Sequence, residues 1–202
     1  QPKVTLADGN ASGAEGLIRW HHPDRGLVSP GEFIPVAEES GLILPMGEQI
    51  LEMACREAAS LHAEGGPGGT IAVNLSVHQL TQPQLAGRIA DLLDHCQVPH
   101  GALEVELTES VLMSDPEGAS ELMAGLREMG VGLAVDDFGT GYSSLAYLRT
   151  LPLDQLKIDR SFVNDLETGE PAGAIVRAIL ALGATLSLDV VAEGIETETH
   201  AK

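Results

Sequence analysis

Short aliphatic runs alternate along this chain with longer segments in which apolar residues recur every three or four positions. The short runs are typical of buried strands, and the longer segments have the period of a helix with one apolar face. This alternation predicts parallel strands joined by crossover helices. The predicted strands are residues 3–6, 13–20, 70–75, 103–108, 132–136, 155–158 and 188–192, and the predicted helices are residues 30–40, 45–64, 84–97, 117–129 and 172–186, with a short turn at 143–148.

The predicted architecture is an α/β fold, a TIM-like (β/α) barrel with an antiparallel first strand. Only "ADGNAS" separates the first two strands, and a connection this short favours an antiparallel hairpin. Because a closed barrel of this type has about eight strands, we expect this one to lack its C-terminal strand and helix. An open doubly wound sheet is the alternative, but the sequence has no glycine-rich phosphate turn after its first strand.

Polar side chains stand at the predicted ends of the strands. In chain order they are Glu15, Asn74, Glu106, Asp136 with Asp137, Lys157 with Asp159, and Glu193. In either α/β architecture the reactive groups lie at the carboxyl ends of the strands. The sequence therefore predicts that these residues share one edge of the fold. The alternative is that they are solvated loop starts in a very acidic protein.

The pair Asp136–Asp137 carries most of the chemical information. Side chains alternate along a strand, so we expect the strand to end at Asp136 and the chain to turn at Gly139 and Gly141. Two carboxylates about 4 Å apart repel by about 4 kcal/mol at an effective dielectric constant near 20. Protons or divalent cations must compensate this charge. Oxygen ligands favour hard cations such as Mg²⁺ or Mn²⁺, and two such ions catalyse in-line displacement at phosphorus.

Two further residues suggest proton chemistry beside these acids. Lys157 is the one cation among the strand ends, where it can orient a nucleophilic water or contact a phosphate. The alternative for Lys157 is a structural ion pair with Asp159 or Glu193. Glu193 has Gly194 behind it and is a candidate general base or metal ligand. The seven histidines follow no ligand spacing.

Charge and composition exclude several classes of function. The formal charge of −19, from 11 basic and 30 acidic residues, leaves no basic surface for long nucleic acid. Cys55 and Cys96 have no metal-type spacing and are expected to be reduced core thiols, which indicates the cytoplasm. Polar residues interrupt the most apolar segment, 174–192, so we expect no membrane insertion. The first residues show no basic region followed by an apolar one, so we also expect no export signal in this sequence.

The motifs are specific enough to identify a resemblance. Six stretches that span nearly the whole chain resemble the EAL domain family: "QPKV", "AEGLIRWHHPDRGLVSPGEFIPVAEESGLI", "AVNLS", "LEVELTES", "VDDFGTGYSSLAYLRTLPLDQLKIDRSFV" and "VVAEGIET". The family consists of bacterial phosphodiesterases that hydrolyse cyclic di-GMP to linear pGpG with Mg²⁺ or Mn²⁺. The resemblance implies one EAL domain over residues 1–202, two metal ions, and Ca²⁺ that binds and inhibits. It also implies a homodimer fused to sensory or GGDEF domains, and so a possible cytosolic part of a membrane-attached protein.

The same resemblance implies a role for each matching residue. Glu15, Asn74, Glu106 and Asp136 would hold one metal, and Asp136, Asp137 and Glu193 would address the second. Lys157 would contact the attacking water, and Glu193 would assist its deprotonation. Substrate contacts would come from Arg19, Asp159 and Gln1. Glu109 would position the "DFGTGYSS" loop, which includes Phe138, Gly139, Thr140 and Gly141 and couples dimerisation to metal occupancy.

The sequence departs from the family at two places, and three other functions are alternatives to hydrolysis. Gly16 stands where the family has alanine, and the family's closing strand and helix do not follow Lys202. A non-catalytic cyclic di-GMP receptor and a dimerisation or docking module are the alternatives within the family. Asp137-Phe138-Gly139 superficially suggests a protein kinase, but the chain has neither a kinase glycine-rich loop nor a His-Arg-Asp catalytic loop.

Overall fold

A computed structural model describes residues 1–63, 68–141, 148–167, 170–197 and 200. The strands in these parts of the chain are β1 Pro2–Val4, β2 Ala11–Glu15, β3 Trp20–His22, β4 Gly26–Val28, β5 Thr70–Asn74, β6 Leu103–Thr108, β7 Gly132–Phe138, β8 Gln155–Ile158 and β9 Asp189–Ala192. The α-helices are α1 Pro30–Ser40, α2 Ile43–Leu61, α3 Val77–Leu80, α4 Leu85–Cys96, α5 Glu109–Ser114, α6 Pro116–Glu128, α7 Arg160–Asn164 and α8 Glu170–Leu186, with a 3₁₀ turn at Asp165–Glu167.

The chain divides into two compact units. Unit 1 comprises residues 1–105 and 129–131, and unit 2 comprises residues 106–128 and 132–202. In unit 1, β1 pairs antiparallel with β2, as predicted, and β2 pairs parallel with β5. Helix α2 packs against β5 and α4 through a buried face that includes Leu51, Cys55 and Ala58. Parallel pairing beside a helix layer is the arrangement that the alternating pattern predicted.

Unit 2 repeats this arrangement. Strand β7 pairs parallel with β8, and β8 pairs parallel with β9. Helix α6 packs on β7, and α8 packs on β8 and β9. The side chain of Asp154 accepts hydrogen bonds from the Leu133 N–H at 3.0 Å and from Arg127 at 2.9 Å, so it ties the start of β7 to the start of β8. This fixes which residues reach the carboxyl ends of the two strands.

The long helices were predicted to within a few residues, and the short helices and the β3–β4 hairpin were missed. Predicted helix 30–40 is α1, with Ser29 at its N-cap position, although the Ser29 side chain makes no capping bond. Helices α3, α5 and α7 were not predicted, because four to six residues are too few to show a helical period. Predicted strand 13–20 was too long: β2 ends at Glu15, and the hairpin β3–β4 follows.

Two other expectations can be compared with the structure. Cys55 and Cys96 lie on α2 and α4 as free thiols, and burial raises the pKa of the Cys55 thiol to about 11. Among the described helices, none is both long enough and apolar enough to cross a membrane. The predicted turn at 143–148 lies, except for its last residue, outside the described part of the chain.

Candidate active site

Unit 1 contributes two of the predicted metal ligands. Glu15 is the last residue of β2, and Asn74 is the last residue of the parallel strand β5. The Asn74 side-chain amide donates a hydrogen bond to Glu15 Oε1 at 2.9 Å. The carboxylate is therefore oriented by its neighbour, and both side chains lie at the carboxyl ends of their strands. Gln1 is close to the same strand, because its backbone nitrogen donates to the Glu15 carbonyl oxygen at 2.7 Å.

In unit 2, three of the predicted acidic site residues lie around one lysine. Lys157 Nζ lies 2.6 Å from Glu106 Oε2, 3.1 Å from Asp136 Oδ2 and 2.9 Å from Glu193 Oε1. The Lys157 and Glu106 side chains are 1% and 0% exposed, whereas that of Glu193 is 31% exposed. We call Glu106, Asp136, Asp137 and Glu193 the acid cluster. The sequence left an ion pair between Lys157 and Glu193 as an alternative, and the structure shows that pair together with two others.

The backbone at Asp137 corrects one expectation. Strand β7 does not end at Asp136 but continues to Phe138, and its pairing with β8 shifts register between Val135 and Phe138. Asp137 lies in the left-handed region, with φ of 53°. A bulge of this kind places successive side chains differently from the strict alternation of a regular strand. The bulge, and not a turn at Gly139 and Gly141, therefore redirects Asp137.

The electrostatics of the acid cluster show that Lys157 does not neutralise it. Burial raises the pKa of Asp136, and Glu106 and Glu193 raise it further, whereas Lys157 opposes the shift. Burial together with Asp136, Asp159 and Glu193 raises the pKa of Asp137 to about 6. The ionised form of both carboxylates is therefore unfavourable. A bound cation would stabilise this form.

The donor atoms of the acid cluster suit a hard metal ion. Glu106 and Asp136 each offer a carboxylate oxygen, and these two oxygens lie within 4.8 Å of each other. Neither histidine nor cysteine contributes to this set, so the ligands are those that Mg²⁺, Mn²⁺ and Ca²⁺ prefer. The excess negative charge and the oxygen-only ligands both fit a divalent cation. The acid cluster can therefore hold a metal ion.

Glu109 contacts the segment that follows β7. It is the first residue of α5, is 3% exposed, and accepts the Gly139 N–H through Oε2 at 3.1 Å. Its other oxygen, Oε1, is buried without a hydrogen-bond partner. The Thr140 hydroxyl donates to the Asp137 carbonyl at 2.8 Å, and Phe138 is buried. Residues 142–147 of the predicted loop lie outside the described part of the chain.

A groove of about 410 Å³ lies beside Glu109 and Gly141, lined also by Ser110, Met113 and Ser114. A Cβ atom on Gly141 would come within 2.9 Å of Glu109 Oε1. The absence of a side chain at Gly141 is therefore what allows the buried glutamate to approach this segment.

Two predicted substrate residues have local partners in the structure. The exposed Arg19 donates from Nη1 to the carbonyl of Ile18 at 2.9 Å. Asp159 is the N-cap of α7 and accepts the Ser161 N–H at 3.0 Å. Burial alone would raise the pKa of Asp159, but hydrogen bonds from Ser161 outweigh this and lower it. The capping role was readable from an aspartate just after a strand, but the sequence analysis missed it.

A profile of the family described as "EAL domain" matches residues 1–202, the whole chain. The chain belongs to the EAL domain family. This EAL domain is 46% identical over 200 residues to the bifunctional diguanylate cyclase/cyclic di-GMP phosphodiesterase MucR of Pseudomonas aeruginosa, and the match covers 99% of the chain and 29% of MucR. It is 44% identical over 197 residues to the cyclic di-GMP phosphodiesterase NbdA of the same organism, covering 98% of the chain and 25% of NbdA.

The EAL domain thus spans between a quarter and a third of the length of these two curated relatives. Among solved structures, it is similar to the PaMucR phosphodiesterase in complex with c-di-GMP, with a TM-score of 0.95 and 45% identity over 100% of this chain and 81% of that one. The matching EAL structures have a TIM-barrel fold, which confirms the predicted fold class and its antiparallel first strand.

Gly16 stands where the family motif has alanine, and the structure has space for an alanine side chain at this position. Glu15-Gly16-Leu17 stands where the family reads Glu-Ala-Leu. A Cβ atom on Gly16 would lie 3.4 Å from the Ala72 carbonyl oxygen and 3.6 Å from a Val73 methyl carbon, both ordinary contacts. The hydrogen bond between Asn74 and Glu15 is formed with glycine in place. The substitution therefore leaves the local geometry of Glu15 intact.

Proposed function

We propose that this EAL domain hydrolyses cyclic di-GMP to linear pGpG in a metal-dependent reaction, and so lowers this second messenger in bacterial signalling. The observation that carries the proposal is the arrangement of Glu106, Asp136 and Glu193 around the buried Lys157, with excess negative charge. The similarity to MucR and NbdA, both named as cyclic di-GMP phosphodiesterases, supports the substrate.

The proposed metal ligands come from the family motif and fit the side chains present. Glu15, Asn74, Glu106 and Asp136 would hold one Mg²⁺ or Mn²⁺ ion, and Asp136, Asp137 and Glu193 would hold the second. When bound, two such ions stabilise the negative charge that develops on a phosphoryl group under attack by water. The raised pKa values of Asp136 and Asp137 support this proposal, because both carboxylates gain from a nearby cation.

The chain's own residues would manage the proton and the substrate. Glu193 is the most exposed of the three acids on Lys157, so its carboxylate can accept a proton from water. The water oxygen then bonds to phosphorus, the P–O3′ bond breaks, and the leaving 3′ oxygen takes a proton from solvent. Lys157 can contact this water only when one of its three carboxylate partners is released. Arg19, Asp159 and Gln1 are proposed to bind the nucleotide.

The decisive experiment follows the conversion of cyclic di-GMP by the purified chain in Mg²⁺ or Mn²⁺. We expect linear pGpG from the wild type and, for Asp136→Asn, a rate lower by about a factor of 100 or more, because a shared metal ligand is lost. Asp91→Asn, which alters an exposed acid of α4, should retain the rate. In Ca²⁺, which tolerates irregular coordination, we expect binding with little turnover.

Two outcomes of this assay would favour the alternatives within the family. If the chain binds cyclic di-GMP and returns it unchanged in both metals, it is a receptor and the enzymatic proposal is wrong. If it neither binds nor converts the nucleotide, a docking role remains. Nucleotide binding that is as tight in EDTA as in Mg²⁺ would contradict the proposed part of the metals in substrate recognition.

We also propose that the domain works in the cytoplasm as a homodimer and as part of a larger protein with sensory or GGDEF domains. The support is that MucR is named as bifunctional and is more than three times as long as this chain. Sedimentation analysis with and without Mg²⁺ tests the dimer. A monomer at all concentrations would contradict it.

A further inference from the structure

We propose that Lys157 is a built-in counter-ion that keeps the acid cluster assembled before metal binds, so that Lys157 and the metal compensate for each other. This inference rests on the proposed metal-dependent function. It assigns Lys157 a role in the metal-free protein, in addition to the contact with the attacking water proposed above. Lys157 is in this respect a positioning residue that acts through three carboxylates.

The geometry places Lys157 within ion-pair distance of three carboxylates. An ammonium group has three N–H donors, and Nζ has one carboxylate oxygen each from Glu106, Asp136 and Glu193 within 3.1 Å. Glu106 is on β6, Asp136 on β7 and Lys157 on β8, and Glu193 directly follows β9. The lysine therefore links the carboxyl ends of four strands. Its 1% exposure leaves almost no access to water that could replace these bonds.

The charges show why a cation at this place matters before a metal arrives. Lys157 supplies one positive charge against three carboxylates, and Asp137 adds a further negative charge nearby. Without Lys157 the buried Glu106 would lose this ion pair, and breaking a buried pair strongly destabilises a protein. A divalent cation on the same carboxylates would supply the missing charge. Removal of Lys157 should therefore be costly in chelator and much less costly in metal.

A part-buried lysine outside the acid cluster provides a control. Lys3 pairs with Glu104 at 2.5 Å, and their side chains are 10% and 8% exposed. Glu104 is not among the proposed metal ligands. Loss of Lys3 should therefore destabilise the protein to the same extent with and without a divalent cation. Only a lysine that shares its carboxylates with the metal should show a difference.

The test compares the thermal unfolding of wild type, Lys157→Met and Lys3→Met, each in EDTA and in saturating Mg²⁺ or Mn²⁺. We expect Lys157→Met to lower the Tm by about 10 °C in EDTA and by less than about half of that in metal. The metal should accordingly raise the Tm of Lys157→Met more than that of the wild type. By linkage, the variant should also bind the metal more tightly in a calorimetric titration. Lys3→Met should show equal losses.

A double variant covers the case in which Lys157→Met does not fold. Lys157→Met with Glu106→Gln removes one positive and one negative charge, and should be more stable in EDTA than Lys157→Met alone. If the double variant is no more stable in EDTA than the single one, or does not fold, the counter-ion role is wrong. Equal losses for Lys157→Met in EDTA and in metal would also overturn it. Failure of any divalent cation to stabilise the wild type would instead overturn the proposed metal site, and this inference with it.

Discussion

Asp137 differs from the other carboxylates of the acid cluster in backbone and in charge. Its φ of 53° places it in the left-handed region, where asparagine and aspartate are tolerated better than most residues. Its pKa is raised by burial, and then by Asp136, Asp159 and Glu193, to about 6. The metal-free protein therefore keeps an aspartate that costs stability whenever it is ionised. The proposed metal site would explain such a residue, because a bound cation would turn the same charge into a ligand.

The raised pKa of Asp137 leads to a prediction for the stability of Asp137→Asn. The folded-state pKa of about 6 lies above the ordinary aspartate pKa of 3.8, so the stability that the neutral carboxyl provides is lost as pH rises through about 6. Asp137 is partly exposed, and solvent screening reduces the effect to about 1 kcal/mol, or about 3 °C in Tm. In EDTA, Asp137→Asn should exceed the wild type by this amount at about pH 7.5 and by only about a third of it at about pH 4.5, because part of the loss already occurs above the unfolded-state pKa of 3.8.

Thermal unfolding in chelator at the two pH values measures this difference. Asparagine suits the left-handed backbone, so a change in local strain would shift the Tm equally at both pH values and would not imitate the prediction. A pH-independent difference would show that the charge of Asp137 is not strained in the metal-free protein.

At the scale of elements, the junction between β7 and α5 depends on a glycine. The Gly139 N–H bonds to Glu109 just after the bulge, and Gly141 leaves space for that glutamate. Gly141→Ala would place a Cβ atom 2.9 Å from Glu109 Oε1 and 3.1 Å from its Cδ, and Glu109 is buried. The side chain must move, which weakens the bond that fixes the end of β7.

We therefore expect Gly141→Ala to destabilise the protein by about 1–3 kcal/mol and to weaken metal-induced stabilisation. Gly16→Ala is the matched control, because its added Cβ atom has only ordinary contacts. It should be neutral or stabilising by about 0.5 kcal/mol, since alanine has fewer unfolded conformations. Thermal unfolding with and without Mg²⁺ compares the two. Equal Tm values for both variants would contradict the proposed role of the space at Gly141.

Some elements could be predicted from the sequence and others could not, for physical reasons. Strand β8 and helix α1 were predicted at their observed bounds, because the apolar period and the proline at the first position of α1 act locally. The short helix α3 was missed, although Ser76 and Gln79 form a capping box that was readable as a start signal. The bulge at Asp137 was not readable, because it depends on how β7 pairs with β8. Candidate site residues could therefore be predicted from sequence motifs, whereas the backbone conformation at these residues could not.

For the acid cluster too, the sequence predicted the residues but not their contacts. Every member was predicted from its position at a strand end, since topology alone brings strand ends to one edge. Sequence spacing could not show that Lys157 serves three carboxylates simultaneously, because this depends on distances across neighbouring strands. From the sequence, Lys157 could be either a catalytic group or an ion-pair partner. The structure shows the ion pairs, and the catalytic contact remains a prediction.

At the scale of the whole molecule, the net charge of −19 opposes the proposed substrate. Cyclic di-GMP carries two phosphate charges, so the long-range field of the protein slows its approach, whereas metals and Arg19 would attract it only at short range. Salt screens long-range repulsion more effectively than short-range attraction in a partly buried site. This behaviour is the reverse of that of basic nucleotide-binding proteins, whose association slows as salt is added.

The kinetics of the whole domain should therefore show an unusual dependence on salt. At saturating Mg²⁺ and low substrate, we expect kcat/KM to rise by about a factor of two or more between about 20 and 200 mM KCl. Replacing two exposed acids, Glu57→Lys with Glu121→Lys, reduces the repulsion without altering a proposed ligand, so it should raise kcat/KM at low salt and flatten the dependence. If kcat/KM instead falls with salt in both proteins, short-range attraction at the site outweighs the field of the molecule, and global charge does not limit capture of the substrate.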